Sequence, residues 1–315
     1  MDERKKFSDS ELAHIMGNYD MGKYLDSDSF TEGRVQTNIS IQTTKGQFVL
    51  RYYESRSFES VSFEVHLLSY LKERKFPCPK PFRNKQEDFI GIYDSKPYVV
   101  FDYLEGYHVQ EPNQKQKKQV IQSAAQLHNL TMNYIPICKE SRWNYNIEFC
   151  KKQAQEVSHR INTKNSKAKF SWLENELKNL NLPKSLPKGI CHADFDFSNI
   201  LFRNEEFNAL LDFDDANYTY LLFDLVNLIE SWAWRHDKDE ILNFREAKKI
   251  VDEYRKHRLL TEEETHHLFD VYKLSILIDC IWLFERGEID DFYEKRKINF
   301  LDHIGREAFY NKLFS

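Results

Sequence analysis

The residues best suited to chemistry stand in one string, His192-Ala193-Asp194-Phe195-Asp196-Phe197-Ser198-Asn199, followed thirteen residues after Asn199 by Asp212-Phe213-Asp214-Asp215. Moving a phosphoryl group asks little covalent work of a protein. It asks for a carboxylate beside the acceptor hydroxyl, oxygen ligands for Mg2+ and a cation near the phosphates. Asp194 and Asn199, five residues apart in one loop, can supply a base and a metal ligand. Ser198 to Arg203 and Phe207 to Asp212 read as short strands around a turn at Asn204-Glu205-Glu206, so a hairpin returns Asp212 to Asn199. Mg2+ favours such sparse protein ligation, with phosphate and water supplying the rest.

These residues need a scaffold on either side. Val35 to Gln42 and Gln47 to Tyr53 are β-rich runs around a turn at Thr43-Thr44-Lys45-Gly46. Val61, Val65 and Leu68 recur at helical spacing within Val61 to Arg74, and Pro77, Pro79 and Pro81 close that helix. Asp88 to Tyr93 and Pro97 to Tyr103 read as two further strands. The first hundred residues are therefore expected to be strands with one helix. After Gly106 helices take over, with Val120, Ala124 and Leu127 on one stripe, and they resume from Leu221 to the end. Lys139 to Lys184 is polar and helical and reads as a solvated insertion. The pattern predicts an α+β, two-lobed protein: a β-rich lobe over 1–101, a hinge at 102–107 and a helical lobe over 108–315.

Composition narrows the classes. The 315 residues carry 45 Lys+Arg against 50 Asp+Glu, a net charge of −5, with no long basic block, which disfavours nucleic acid as a main partner. The 24 Phe and 17 Tyr argue against disorder. Among nine glycines there is neither Gly-x-Gly-x-x-Gly nor Gly-x4-Gly-Lys-[Ser/Thr], so neither a Rossmann fingerprint nor a Walker loop explains nucleotide binding. Five cysteines without a Cys-x-x-Cys pair point to a reducing compartment, and neither a signal peptide nor a membrane span is expected. The expectation is a soluble, cytoplasmic protein.

The order His-x-Asp-x4-Asn, strand, turn, strand, Asp is shared with the protein-kinase fold. The sequence departs from protein kinases in lacking Arg between His192 and Asp194, in carrying Asp214 where Gly is usual, and in having no Ala-Pro-Glu segment. It resembles instead the aminoglycoside phosphotransferase and choline kinase superfamily. Thr43 to Arg51, Phe101-Asp102-Tyr103-Leu104-Glu105-Gly106 and His192-Ala193-Asp194 look most like type II homoserine kinases. Asp212 to Ala216 with Tyr220, Phe223-Asp224, Asn227 and Trp232 look like choline and ethanolamine kinases. The resemblance implies ATP and Mg2+ as cofactors, Asp194 as catalytic base, and Asn199 and Asp212 as metal ligands. It implies Arg51 in place of the usual phosphate-binding Lys, Glu64 as its ion-pair partner, adenine against Phe101, Asp102, Tyr103 and Leu104, and Gly33 over the phosphates. Arg is always charged and binds through a fork where Lys is a point charge.

For the acceptor, Asp196, Asp215, Glu230, Trp232 and Asp279 combine acids with an aromatic face, a set able to hold an ammonium group by charge and cation–π contact. An amine-bearing alcohol is expected, a homoserine-like amino alcohol first, choline or ethanolamine second, an aminoglycoside third. Tryptophans at helical spacing are more often core than cage, and Asp224 suits a role bracing backbone rather than chemistry. Asp194-Phe195-Asp196-Phe197-Ser198 also resembles the nucleophile motif of haloacid dehalogenase-type phosphatases, but that motif follows an early strand in repeated βα units, and this one does not. A nucleotide-binding pseudokinase is the non-enzymatic alternative; its usual mark, loss of the base or a metal ligand, is missing here.

Overall fold

The first hairpin forms where its turn residues place it. In the computed structural model, which describes residues 4–30, 35–234, 242–289 and 293–315, Thr43 pairs with Gly46 and leaves Thr44-Lys45 as a two-residue turn. Gly46 has φ +132°, a value that side chains rarely adopt. The hairpin strands belong to a five-stranded antiparallel sheet formed by β1 (Tyr24–Ser29), β2 (Thr37–Thr43), β3 (Gly46–Tyr52), β4 (Gly91–Tyr93) and β5 (Lys96–Asp102), in the order β1-β2-β3-β5-β4. Two helices accompany it rather than one. The missed helix, α1 (Asp9–Met16), is announced by Ser8-Asp9-Ser10-Glu11, whose ends form a reciprocal capping box. It buries Leu12, Ile15 and Met16 with Ile39, Ile41, Leu50 and Val100. The other, α2 (Phe58–Glu73), starts three residues before the apolar stripe because Ser57 caps it, and it buries Val61, Val65 and Leu68.

Two compact units share the chain. The first comprises 1–110, 136–142 and 197–214; the second comprises 111–135, 143–196 and 215–315. The first unit thus regains the chain at 197, where β7 (Ile200–Arg203) and β8 (Glu206–Leu210) form the second hairpin. This hairpin is tied to the rest of its unit by the Tyr107–Phe202 bridge, and Leu210 N–H donates to the Pro77 carbonyl at 2.9 Å.

The second unit is helical: α3 (Gln114–Thr131), α4 (Ile147–Ile161), α5 (Lys164–Lys178), α6 (Leu222–Ala233), α7 (Phe244–His257), α8 (Glu262–Trp282), α9 (Tyr293–Ile304) and α10 (Arg306–Phe314). A strand pair not read from the sequence, β6 (Lys188–Cys191) with β9 (Asn217–Tyr220), lies among them. Four-residue strands are too short for an alternating pattern to declare itself. The polar stretch after Lys139 is no solvated insertion. Its two helices pack on each other and on α8, and α4 offers Cys150, Ala154 and Ser158, small residues one turn apart that allow close approach. On α5, Lys169 is buried, and its ammonium donates to the carbonyls of Phe284, Arg286 and Gly287 at 2.6 to 2.8 Å. Those three bonds let a charged residue occupy a core position. No helix among the described residues is long and apolar enough to cross a membrane.

Candidate active site

Alternation along β3 sorts the residues of the first unit. Leu50 and Tyr52 point into the core beneath the sheet, while Val49 and Arg51 face a cavity of about 520 Å³. Phe101 pairs with Val49 on the neighbouring β5, and Phe101, Asp102, Tyr103 and Leu104 line the same cavity beside Phe30, Leu68 and Leu201. Arg51, Glu64, Asn199 and Asp212 line it too. Ligand sites are commonly of this size and mixed character.

The second hairpin brings the expected metal ligands together. Ile200 pairs with Leu210, and Leu211 N–H donates to the Asn199 carbonyl at 2.7 Å, which sets Asp212 just past the paired strands. Asp212 has φ +56°, a left-handed backbone that costs a non-glycine residue about 1 kcal/mol or more and often marks a functional position. Arg51 Nη2 donates to Asp212 Oδ1 at 2.7 Å and lies 4.0 Å from Asp214. Burial works against the Arg51 charge, but Asp212, Glu64 and Asp214 outweigh it and raise its pKa.

Glu64 corrects one expectation. It lines the cavity with Arg51, yet its ion-pair partner is Arg142, at 3.5 Å, while Arg51 turns to Asp212. Burial pushes the Glu64 carboxyl above the usual range, with Asp214 adding to the effect and Arg51 and Arg142 opposing it. Arg142 also donates to the Ser60 carbonyl at 2.8 Å and to the Asp214 carbonyl. Asp214, which stands where protein kinases usually carry Gly, is buried. Arg56 grips both its carboxylate oxygens at 3.0 and 2.9 Å, and Gln36 Nε2 donates at 3.2 Å. Arg56, Arg142 and Gln36 were not legible as site residues, since an isolated Arg or Gln carries no local pattern. Gly33 lies outside the described residues.

In the second unit, His192-Ala193-Asp194 follows β6. Asp224, fully buried at the start of α6, accepts the amides of His192 and Ala193 at 2.8 Å each, the bracing role its position suggested. Ala193 sits at φ +65°, and its carbonyl accepts from Asn227 Nδ2 at 3.4 Å. Asp194 N–H donates to His192 Nδ1 at 3.3 Å, and the Asp194 side chain is exposed. A strained residue held from both sides fixes the direction in which Asp194 leaves the loop.

Burial is the main cause that raises the pKa of Tyr272 on α8, with the candidate acceptor acids Glu230 and Asp279 adding to it. Glu230 is ion-paired with Lys297, however, and Trp232 already carries Lys117 over its ring at 5.6 Å. Asp196 and Asp215 are exposed. Trp143 and Trp282, both partly exposed, lie with ring centroids 4.4 Å apart.

The donor set in the first unit suits a nucleoside polyphosphate with a divalent cation. Arg51 Nε is buried and has no hydrogen-bond partner among the described residues, although Arg51 lines the cavity. Buried polar atoms are normally satisfied, and an N–H donor at this place suits a phosphate oxygen. Residues 29–260 match the model of the phosphotransferase enzyme family, and the chain belongs to that family. It is an ATP-dependent phosphotransferase acting on a hydroxyl. A homoserine kinase of Rhodopseudomonas palustris (strain BisA53) is 27% identical over 262 residues, covering 81% of this chain and 77% of that protein. A homoserine kinase of Chelativorans sp. (strain BNC1) is 28% identical over 267 residues, covering 83% and 80%. Among solved structures, an amicoumacin kinase in complex with AMP-PNP, Ca2+ and Ami aligns with a TM-score of 0.66 at 15% identity, over 97% of this chain and 94% of that one. A spectinomycin phosphotransferase in complex with ADP and spectinomycin aligns with a TM-score of 0.62 at 12% identity, over 99% of each. The structural likeness shows the fold, an α+β kinase-like arrangement with a β-sheet N-terminal region and a helical C-terminal region.

Proposed function

We propose that the chain transfers the γ-phosphoryl group of ATP, with Mg2+, to the hydroxyl of a small amine-bearing alcohol, a homoserine-like amino alcohol before choline or ethanolamine. The observation that carries this reading is the convergence of Arg51, Asn199 and Asp212 on one cavity beside Phe101 to Leu104. Phe101 to Leu104 take the adenine, partly through backbone groups, and Arg51 takes phosphate oxygens. Asp212 and Asn199 would hold the cation, which when bound would neutralise phosphate charge. Gly33 belongs to the phosphate end in this reading. Asp194 orients the acceptor hydroxyl and receives its proton as the new oxygen–phosphorus bond forms and the bond to ADP breaks.

Homoserine comes first because the curated relatives at 27 to 28% identity are named for it. An aminoglycoside comes last: a polycation needs several available acids, and Glu230 is already matched by Lys297. We assign Asp279 and Asp196 to one ammonium group. The test is a coupled ADP-release assay with Mg·ATP against homoserine, choline, ethanolamine, threonine, serine and one aminoglycoside, with Asp194→Ala as control. Turnover with homoserine that the control abolishes is the expected result. Turnover confined to the aminoglycoside would overturn the acceptor assignment, and nucleotide binding without turnover on any acceptor would favour the pseudokinase.

A further inference from the structure

A line of buried polar groups runs beneath the His192–Asp194 loop, and the reaction outlined above does not use it. Glu264, on α8, accepts from Arg258 Nη2 at 2.7 Å. Arg258 Nη1 donates to the Tyr254 hydroxyl oxygen at 3.4 Å, and that oxygen lies 2.5 Å from Nδ1 of His128. Nε2 of His128 lies 3.0 Å from Asp224 Oδ2, and Asp224 holds the loop amides. Tyr254, His128 and Asp224 are all fully buried.

Proton positions follow from what each group can give. Burial is the main cause that pushes the Tyr254 phenol far above its ordinary value, so it keeps its hydrogen. Its oxygen already accepts from Arg258, so the single O–H points to His128 Nδ1. A neutral ring that accepts at Nδ1 carries its hydrogen on Nε2, facing the carboxylate of Asp224. The third ionisable group beside the ring is Cys191 of β6, whose sulfur lies within 4.8 Å of the His128 and Asp224 ligand atoms. Burial raises that thiol as well, and it donates to the Tyr220 carbonyl at 3.2 Å. His128, Cys191 and Asp224 therefore form a set closed by hydrogen bonds rather than a metal centre. Arg258, Tyr254 and His128 thus donate in turn toward the next group, and such chains polarise in one direction.

We infer that Tyr254 is a positioning residue for phosphoryl transfer: by donating to His128 Nδ1 it fixes the Nε2–H form of the ring on Asp224, which holds the left-handed Ala193 and so aims Asp194. The inference rests on the kinase reading above. Without the hydroxyl, Nδ1 is left unpartnered in the interior, and Asp224 divides itself differently between the ring and the two loop amides. Asp194 is then misaimed, while the nucleotide site of the first unit keeps all its residues.

The experiment compares the full chain with Tyr254→Phe, and with Tyr19→Phe as control. Tyr19 is likewise buried and belongs to neither the line of polar groups nor the candidate site. Thermal melting first confirms that each variant folds. With the acceptor the wild type turns over, Tyr254→Phe should lower kcat about tenfold, the scale of one lost hydrogen bond, and leave the nucleotide KM within about twofold. Amide exchange of the peptide holding His192 to Asp194 should quicken. NMR of ¹⁵N-histidine-labelled protein should show His128 in the Nε2–H form in the wild type and changed in Tyr254→Phe only. A wild-type His128 protonated on Nδ1, or a Tyr254→Phe protein with unchanged kcat, exchange and ring signals, would overturn the inference. A wild type that turns over no acceptor would count against the kinase reading instead; the ring signals and loop exchange, which need no turnover, would still decide whether Tyr254 sets the loop.

Discussion

Arg56→Gln tests the charge arrangement most directly, because it removes both bonds to a buried carboxylate and leaves the cavity residues in place. Asp214 would keep the Gln36 amide at 3.2 Å and Arg51 at 4.0 Å, but lose its two-pronged partner at 2.9 and 3.0 Å. Breaking a buried pair by removing one partner costs about 3–5 kcal/mol. The partners that stay, and the partial exposure of Arg56, bring the expected loss to about 2–3 kcal/mol at pH 7. Burial alone would raise the Asp214 carboxyl, yet Arg51 and Arg56 hold it below the usual range. A depressed folded pKa means that this stabilisation is present above the unfolded value, about 3.9, and is lost as pH falls through the folded value. In the variant the Asp214 pKa rises, so the deficit is full near neutrality and shrinks as pH falls from the variant's folded pKa toward the lower wild-type one, below which both proteins protonate the group. Urea unfolding at pH 7 and near pH 4 reads it. Arg56→Gln with Asp214→Asn should be less damaged than Arg56→Gln alone, since no uncompensated charge stays buried. A deficit below about 0.5 kcal/mol at pH 7, the range of an ordinary surface change, or one equal at both pH values, would refute the reasoning.

Three further outcomes are expected. Asp194→Asn should cut phosphoryl transfer by roughly 10²–10⁴ while ATP affinity holds, read by turnover beside calorimetric nucleotide binding; near-normal transfer would remove Asp194 as the base. Asn199→Ala and Asp212→Asn should each raise the Mg2+ concentration needed for half-maximal rate, roughly tenfold or more, and an unchanged Mg2+ titration would count against both assignments. Glu11 carries a pKa lowered to about 2, first by the Ser8 amide and then by the Tyr93 hydroxyl, the Ser8 hydroxyl and Lys5. Its contribution to stability is therefore present above its unfolded value near 4.3 and lost as pH falls toward 2, so Glu11→Gln should lower the melting temperature at pH 7 more than at pH 2.

Much of the candidate site was legible because it is local. Asp194 and Asn199 share a loop in the sequence, and a hairpin with strong turn residues returns Asp212 to Asn199, so the meeting of Asn199 and Asp212 follows from spacing and β-pairing. The alternation that puts Arg51 on the cavity face and Leu50 in the core is likewise a property of one strand. Family likeness added roles to these positions, and the matching family model spans residues 29–260.

What the tertiary structure decided is which charges meet across long stretches of chain. Sequence order offered Glu64 to Arg51, but packing gave Glu64 to Arg142, 78 residues further on, and turned Arg51 to Asp212. Asp214 became a buried anchor because Arg56 and Gln36 reach it from 158 and 178 residues away. The polar helices after Lys139 pack on each other and on α8, with small residues on α4 and a lysine on α5 bonded to three carbonyls just past α8, which composition averaged over the stretch hides. The line from Glu264 to Asp224 joins four separate segments, and no window of sequence contains it. Periodicity and turn chemistry act over a few residues, so the sequence by itself determined elements and the loop that carries Asp194. Desolvation and ion pairing depend on which groups share an interior, and only the folded chain determines that.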